Sequence, residues 1–274
     1  MRILLDDHLY DHAMLEAAES LPEVPAFVLT RFNIPMPGAR EKGGFGDDAR
    51  FRQWCVNRSR IFTEVCLPSL LSQTRRPTGW LLLFDETYMK ETQRALKAIE
   101  RFDWIVPIIV PTSGPIANYR QYFAPKINER LSDTAKHVVT IRLDNDDAIS
   151  RTFVDSVVSY AQSALLRGAA APFWISFPYG VQWDGSEVTL KLQNNNPFVS
   201  LVEEASRFRA GKATMAMSTN HGKVFVHGIV KTATARVPMW LQYTHAENVS
   251  NRKDARLLVF RDTREILGNF GLRL

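Results

Sequence analysis

The sequence predicts an α/β fold in which a mostly parallel central sheet carries helices on both faces. Short apolar stretches alternate with stretches of helical periodicity through the first half of the chain, and this alternation is typical of βαβ units. Several apolar stretches carry no polar residue at alternate positions, as expected of strands that are buried on both faces. After residue 170 the apolar stretches become shorter, which predicts a mixed or antiparallel C-terminal part.

Four apolar stretches in the first half of the chain predict strands, each bounded by proline, glycine, charged or amide residues. They are Ala26–Phe32, Trp80–Phe84, Trp104–Val110 and His137–Leu143. Helical periodicity predicts helices over the segments Phe51–Val65, Pro68–Gln73, Thr92–Arg101, Asn118–Leu131 and Thr152–Leu166. We expect Pro68 to break or kink the first helix, because a proline disfavours helical backbone in the residue that precedes it.

Shorter strands and one helix are predicted in the second half of the chain. The strands are Phe173–Phe177, Gly180–Trp183, Val188–Leu192, Lys223–Val230 and Trp240–Tyr243, and the helix is Val199–Arg209. Asp184-Gly185 has the composition of a turn that joins two of these strands. No internal repeat, low-complexity segment or linker divides the sequence, so we expect a single domain over residues 1–274.

The composition is that of an ordinary globular protein with a mild positive charge. The chain carries 34 Lys and Arg against 29 Asp and Glu, a net charge of +5, which suits an anionic partner without identifying one. Cys55 and Cys66 would lie about 16 Å apart in one continuous helix, so we expect reduced, buried thiols and a cytoplasmic protein. The acidic start does not resemble a secretory signal, and no apolar run reaches the roughly 18–20 residues of a membrane span.

Polar residues follow three of the predicted strands at the points where these strands end. The three segments are Thr30–Asn33, Asp85-Glu86 and Asp144–Asp147. Ligands of open parallel sheets bind beyond the carboxyl ends of the strands, so these segments supply the candidate site residues.

The segment Asp144–Asp147, with the sequence Asp-Asn-Asp-Asp, is the most informative of the three. Its carboxylates repel one another and would destabilise a strand end unless a cation offsets them. Strand alternation places Asp144 and Asp146 on one face, and carboxylates suit Mg²⁺ or Mn²⁺. The alternative is a solvated acidic turn that caps the next helix.

Other phosphate and metal motifs do not fit. Ala148 and Ile149 stand where an EF-hand loop needs a ligand and a glycine. The sequence also contains no phosphate-binding glycine loop, no dinucleotide-binding fingerprint and no nucleophile elbow.

The acidic strand end, with βαβ units before it and mixed strands after it, resembles the GT-A fold of family-2 glycosyltransferases. The stretch Leu67–Thr74, followed by a strand that ends in Asp85-Glu86, is similar to the pattern that contacts the nucleotide in that family. Further segments are more specifically similar to a bacterial "putative rhamnosyltransferase" family: Thr30–Asn33, Arg142–Asp147 and Trp240–Asn248.

This resemblance runs from about residue 26 to residue 252. It implies a nucleotide-binding half over residues 26–150 and an acceptor-binding half over residues 151–274. The implied activity is transfer of a sugar from a nucleoside-diphosphate sugar to a hydroxyl of a saccharide or lipid-linked acceptor, with inversion. A divalent ion and nearby basic residues would offset the charge that builds on the departing nucleoside diphosphate.

The resemblance also implies roles for individual residues. Thr30 and Asp85 would meet the nucleoside, and Arg120 would contact the base or a phosphate. Asp144 would bind the ribose or a metal-bound water.

Three further residues are implied as ligands of the Mn²⁺ or Mg²⁺ that bridges the diphosphate. Asp146 and Asp147 would hold this ion, and His245 would be a third ligand. The alternative for His245 is a hydrogen-bonded histidine at the surface or partly buried.

An inverting enzyme needs a base for the acceptor hydroxyl. The candidates are Glu203, Glu247 and Asp184, and the sequence does not choose among them. Tyr179 and Trp183, near a turn, are the candidate residues for stacking on an acceptor sugar.

Two other classes of function remain open at the level of the sequence. A phosphatase of the haloacid dehalogenase type also ends an apolar strand in an Asp-x-Asp motif, here Asp144 and Asp146, although in that class the motif follows the first strand. A carbohydrate-binding protein without enzymatic activity is the second alternative. Nucleic acid is not expected, because the basic residues form no dense stripe with aromatics, but Arg75-Arg76 and Arg207–Arg209 could contact a membrane surface.

Overall fold

A computed structural model describes residues 21–34, 47–111, 118–217, 221–245 and 258–273. Within these ranges the strands are β1 Ala26–Arg31, β2 Gly79–Asp85, β3 Ile105–Val110, β4 His137–Arg142, β5 Ala148–Ile149, β6 Phe173–Ser176, β7 Tyr179–Trp183, β8 Val188–Leu192, β9 Ser200–Glu204, β10 Ile229–Thr232 and β11 Trp240–Tyr243.

The helices are α1 Asp48–Ile61, α2 Leu67–Leu71, α3 Gln93–Ile99, α4 Arg120–Asn128, α5 Phe153–Leu166, α6 Ala205–Arg209 and α7 Thr263–Gly268. A π-helical turn, Phe62–Cys66, joins α1 to α2, and 3₁₀ turns cover Glu86–Tyr88 and His221–Val226.

The larger of the two described sheets has the strand order β10-β6-β9-β4-β1-β2-β3. The pairs β1–β2, β1–β4, β2–β3 and β6–β10 are parallel, whereas β9 runs antiparallel to both β4 and β6. The predicted fold class, a mostly parallel sheet with a mixed C-terminal part, is therefore confirmed.

Helices cover both faces of this sheet, as predicted. Successive residues of β2 alternate between two buried clusters: Trp80 and Leu82 pack on the side of α2, α3 and α5, and Leu81 and Leu83 pack on the side of α4 and α6. Because β2 is buried on both faces, its sequence is an uninterrupted apolar run.

The smaller sheet has the order β5-β11-β7-β8, and its β7–β8 hairpin turns at Asp184-Gly185, as predicted. Gly185 has a φ of 94°, a conformation that favours glycine. Gly180 in β7 lies against the ring of Trp240, where a Cβ atom would clash.

Two predictions for the second half of the chain are wrong. The predicted helix Val199–Arg209 is instead the strand β9 followed by the short helix α6. Pairing of β9 with both β4 and β6 outweighs the local helical pattern. The predicted strand Lys223–Val230 is largely a 3₁₀ turn, and β10 begins only after Gly228, whose φ is 153°.

The helix that begins at Asp48 is not broken at Pro68. It passes instead through the π-helical turn, in which Leu67 donates its N–H to the carbonyl of Phe62, five residues earlier. A proline cannot donate to the carbonyl four residues before it and clashes with it, so this wider turn accommodates Pro68 in the first turn of α2.

Candidate functional site

The polar ends of β1, β2 and β4 lie together at the carboxyl edge of the large sheet. Asn145 donates from Nδ2 to the carbonyl of Phe32 at 2.6 Å, which joins the ends of β4 and β1. Asn33 accepts the backbone N–H of Asp85 on Oδ1 at 2.8 Å, which joins the ends of β1 and β2. These two asparagines therefore fix three strand ends relative to one another.

Arg58, on α1, reaches into the acidic segment at the end of β4. Its Nη1 forms an ion pair with Asp146 Oδ2 and donates to Asn145 Oδ1 at 3.3 Å. The guanidinium carbon also lies 4.9 Å from the ring centre of Trp54, and only 5% of Arg58 is exposed. Arg58 is thus a buried cation in contact with the acidic segment.

Sequence reasoning missed Arg58, although a signal for it exists. Phe51, Cys55 and Phe62 are buried residues at helical spacing, and Arg58 stands on the same stripe, three residues after Cys55 and four before Phe62. A charged residue in the middle of a buried helical stripe indicates a partner from elsewhere in the chain.

Asp146 is ionised at neutral pH. Burial by itself would raise the pKa of its carboxyl group, but Arg58 and His245 outweigh burial and lower this pKa to about 2. His245 follows β11, and its Nε2 lies 3.2 Å from Asp146 Oδ2, the same oxygen that meets Arg58. Asp146 and His245, both predicted as site residues, are therefore in contact.

Asp147 has the opposite protonation preference. Burial, together with the carboxylates of Asp146 and Asp144, raises the pKa of its carboxyl group well above the usual value. Its Oδ1 accepts the backbone N–H of Tyr243 at 3.0 Å. The Asp147 side chain thus ties the end of β4 to β11.

The side chains of this segment do not fit a resident divalent ion held by Asp146, Asp147 and His245. In the described part of the chain, no three His, Cys, Asp or Glu side chains converge as a metal-binding group. The guanidinium of Arg58 already meets the Asp146 oxygen that faces His245. Asp146 Oδ2 is thus engaged by side chains of the protein itself.

Three further arginines lie at or near the carboxyl edge, at the ends of β1 and β4 and the start of α4. In Arg31, Arg120 and Arg142 the Nε atom is buried and has no hydrogen-bond partner among the described residues. Arg142 lies opposite Leu29 in the β1–β4 register. Arg31 follows Leu29 by two residues, so Arg31 and Arg142 lie on the same face of the sheet, with their Cα atoms about 8 Å apart. Buried polar groups normally have partners, so these donors are available to a ligand or to water.

Other contacts of these arginines orient them without using all of their donors. Arg31 donates from Nη1 to the hydroxyl of Tyr119 at 3.0 Å, and Arg142 Nη2 lies 3.3 Å from Asp144 Oδ2. Asp144, at 31% side-chain exposure, is open enough to meet a ligand.

The two residues predicted to meet the nucleoside differ in their placement. Asp85 lies at the carboxyl edge, two positions after Leu83, and its Oδ1 accepts the N–H of Thr87 at 2.9 Å. Thr30 is fully buried within the sheet, and its hydroxyl oxygen accepts from Trp80 Nε1 at 2.9 Å. Both side chains are thus buried, since only 1% of Asp85 is exposed, and they differ in that Asp85 is the last residue of its strand at the carboxyl edge.

Among the candidate bases, Glu203 lies away from this edge. It pairs with Val138 near the amino end of β4, about 20 Å along the strand from Asp144. Its carboxylate is fully buried and accepts the N–H groups of Thr214 at 2.7 Å and Met215 at 2.8 Å. Met215 has a φ of 64°, so Glu203 holds a turn whose backbone is strained.

The other two candidate bases are in different situations. Asp184 accepts the N–H groups of Ser186 at 3.0 Å and Glu187 at 2.8 Å on Oδ1, and thereby closes the β7–β8 turn. Glu247 lies outside the described residues.

An aromatic row leads from the small sheet to Asp146. The ring centres of Trp183 and Tyr243 are 4.8 Å apart, and those of Tyr243 and His245 are 5.1 Å apart. The buried Nε1 of Trp183 has no hydrogen-bond partner within the ranges that the structure covers. Tyr179 lies at the opposite end of β7, about 13 Å from Trp183, where burial raises the pKa of its hydroxyl.

No helix among the described residues is long and apolar enough to cross a membrane.

Comparison with solved structures finds distant similarities, including the two that follow. The chain aligns with 4-diphosphocytidyl-2C-methyl-D-erythritol synthase from Anaerococcus prevotii, at 8% identity and a TM-score of 0.33. This alignment covers 90% of the present chain and 95% of the synthase. A "putative nucleotide-diphospho-sugar transferase" from Desulfovibrio desulfuricans aligns over 77% of this chain and 80% of that one, at 11% identity and a TM-score of 0.33. Scores this low establish neither a shared fold nor a shared function.

Comparison with curated proteins finds no significant match. The model of the family described as "Putative rhamnosyl transferase", by contrast, matches residues 26–257, which is most of the chain and includes the whole carboxyl edge. The chain therefore belongs to this family, and it is a glycosyltransferase.

Proposed function

We propose that the protein transfers a sugar from a nucleoside-diphosphate sugar to a hydroxyl group of a saccharide or lipid-linked acceptor, with inversion at the anomeric carbon. Membership of the family favours glycosyl transfer over the phosphatase and over a protein that only binds carbohydrate. The observation that carries the proposal is the set of arginines with unpartnered buried Nε donors at the carboxyl edge, next to Asp85 and Asp144.

The arginines fit a diphosphate for reasons of charge and geometry. A guanidinium presents donors in a rigid fork that matches phosphate oxygens, and hydrogen bonds to charged groups contribute roughly 1.5–3 kcal/mol each. Leaving such donors buried and unpaired costs free energy, so an anion that accepts from them is bound favourably. As the bond to the sugar breaks, negative charge builds on the departing diphosphate, and Arg31 and Arg142 stabilise it.

Asp85 and Asp144 recognise the nucleoside part of the donor. A carboxylate at a strand end can accept the N3–H of a uracil or thymine base, and we assign this contact to Asp85. Asp144 is half-exposed beside Arg142 and accepts from a ribose hydroxyl.

Inversion requires one base that takes the proton of the acceptor hydroxyl as that oxygen attacks the anomeric carbon. The carboxylates of Glu203 and Asp184 already accept backbone N–H groups at other places. We therefore assign the base to Glu247, which follows His245 by two positions in the sequence.

The acceptor sugar stacks on the aromatic row formed by Trp183, Tyr243 and His245. Aromatic rings bind the apolar faces of sugars, and the Nε1 of Trp183 offers a donor to a hydroxyl. The row ends at Asp146, so it leads an acceptor toward the end of β4.

The direct test is incubation of the protein with a panel of UDP-, GDP- and dTDP-sugars and saccharide acceptors, followed by proton NMR. We expect one donor to yield a glycoside whose anomeric configuration is opposite to that of the donor. A product of retained configuration would contradict inversion. Release of phosphate from a simple aryl phosphate, without glycoside from any donor, would instead favour the phosphatase.

A further inference from the structure

The acidic segment at the end of β4 contains its own counter-charges. Asp146 forms an ion pair with Arg58, and Asp144 forms one with Arg142. Asp147 accepts a backbone N–H from Tyr243. Each of the three carboxylates that predicted a metal ion from the sequence thus has a donor supplied by the protein.

The Arg58–Asp146 pair differs from an ordinary surface ion pair in its burial. The two side chains are 6% and 7% exposed, whereas Arg60 and Glu64, on the same helix and its π-helical continuation, are 52% and 46% exposed. Removing one partner of a buried pair leaves an uncompensated charge, which is strongly destabilising. Arg58 is also held from a second side by the ring of Trp54 and by Asn145 Oδ1, so its position is well determined.

The oxygen of Asp146 that meets Arg58 is also the one that lies beside His245, the third ligand predicted for a divalent ion. Arg58 Nη1 and His245 Nε2 converge on Asp146 Oδ2. An ion shared by Asp146 and His245 would have to displace the guanidinium, whose positive charge would then be buried against the positive ion.

We propose that Arg58 is the resident cation of the acidic segment, in the place of a divalent metal ion, and that it positions Asp146 and Asn145 for donor binding. The role of Arg58 in binding the nucleotide-sugar rests on the proposed function, whereas the replacement of a metal ion by Arg58 does not. Because Arg58 also bonds Asn145, and Asn145 bonds the carbonyl of Phe32, Arg58 sets the relative positions of β4 and β1 at the site.

The inference is tested by thermal unfolding of the wild type and of Arg58→Gln, each in EDTA and with Mn²⁺ alone. The wild type should unfold at the same temperature in both buffers. Arg58→Gln should unfold several degrees lower in EDTA, and Mn²⁺ should restore much of this loss, because the vacated space beside Asp146 and His245 then accepts a cation. Arg60→Gln, a change of the same charge at an exposed position of α1, should behave as the wild type does.

A double variant separates the missing charge from a general packing defect. In Arg58→Gln/Asp146→Asn both charges of the pair are removed, so its unfolding temperature in EDTA should exceed that of Arg58→Gln and should not respond to Mn²⁺. If Mn²⁺ does not stabilise Arg58→Gln, or stabilises the double variant equally, Arg58 does not occupy a cation position beside Asp146 and the inference fails.

If Arg58→Gln does not fold, the wild type and Asp146→Asn decide whether Arg58 or a metal ion is the resident cation. An ion present at about 100 times its dissociation constant raises the unfolding temperature of a chain of this size by roughly 5–10 °C. A rise of that size with Mn²⁺ in the wild type, lost in Asp146→Asn, would show that a metal ion is the resident cation and would overturn the inference. An unchanged wild-type temperature supports it.

Nucleoside diphosphates form the second arm of the test. With UDP, GDP and dTDP, the stabilisation of the wild type should be equal in EDTA and in Mn²⁺, and Arg58→Gln should lose it in EDTA. Stabilisation that requires Mn²⁺ in the wild type would overturn the inference. If no nucleotide stabilises the wild type in either buffer, the proposed function fails, and the experiments with Mn²⁺ alone still decide the assignment of Arg58.

Discussion

Buried carboxylates have different roles at different places in this protein. Asp146 and Glu203 are both buried carboxylates, but Asp146 meets Arg58 and His245 at the carboxyl edge, whereas Glu203 accepts two backbone N–H groups and pairs with Arg207 near the opposite edge. In the sequence both are acids near the end of an apolar stretch. Only the antiparallel pairing of β9 with β4 places Glu203 away from the site.

Replacing Glu203 should therefore affect stability and leave donor binding unchanged. Glu203→Gln turns one acceptor oxygen into an amide donor that faces a backbone N–H, so we expect a loss of about 2–4 kcal/mol in the free energy of unfolding. Urea denaturation measures the loss. Glu204→Gln, at the exposed neighbouring position, should change the stability by less than about 0.5 kcal/mol. Weaker nucleotide binding by correctly folded Glu203→Gln would contradict this assignment.

The two cysteines should be unreactive in the folded protein. Burial raises the pKa of the Cys55 thiol to about 12 and that of the Cys66 thiol well above its usual value, so neither forms a thiolate near pH 8. Titration with a thiol-reactive chromophore at pH 8 should detect neither thiol before unfolding and both after it. Rapid labelling of the native protein would contradict the burial of these residues.

At the scale of elements, the parallel strands were predictable and the later strands were less so. Strands β1, β2 and β4 are apolar runs that end in polar residues, and their pattern follows from burial on both faces. Strand β3, at the edge of the sheet, is also an apolar run, but its residues are buried only in part. Segment Ser200–Glu204 has no such local pattern, because it becomes a strand through pairing with residues far away in the sequence. The π-helical turn before Pro68 was not predicted because it depends on how the longer helix continues.

The small sheet supplies the element on which acceptor recognition depends. Trp183→Leu removes the end of the aromatic row and should raise the KM for a saccharide acceptor roughly two- to tenfold, a loss in the range of aromatic stacking. The affinity for the nucleotide should not change. Steady-state kinetics with varied acceptor measure the effect, and Tyr179→Leu, at the other end of β7, serves as the matched control. An effect confined to Tyr179→Leu would place the acceptor elsewhere.

At the scale of the whole molecule, the carboxyl edge was predictable but its charge balance was not. The rule that ligands bind beyond the carboxyl ends of parallel strands identified Asp85 and the segment Asp144–Asp147 from the sequence alone. Arg58 contacts Asn145 of this segment across a separation of 87 residues, so its place in a buried helical stripe indicated a distant partner but did not identify it. The metal ion predicted from three neighbouring acids stays a prediction, and the structure offers Arg58 in its place.

At this scale the carboxyl edge gathers four arginines beside four aspartates, so this edge does not account for the net charge of +5. Arg31, Arg58, Arg120 and Arg142 converge on the region of the carboxyl edge from two strands and two helices. A ligand that carries two phosphates matches this concentration of guanidinium groups.

The most direct test of the central claim is calorimetric titration of nucleoside diphosphate into the wild type and into Arg142→Gln, both in EDTA. We expect the wild type to bind at least one of UDP, GDP and dTDP without a metal ion. Arg142→Gln should bind it roughly 10–100 times more weakly, as expected for the loss of a charged hydrogen bond. Arg130→Gln, beyond the end of α4 and paired with Glu129, should bind as the wild type does. Equal affinity of the wild type and Arg142→Gln would contradict the claim that these arginines hold the diphosphate.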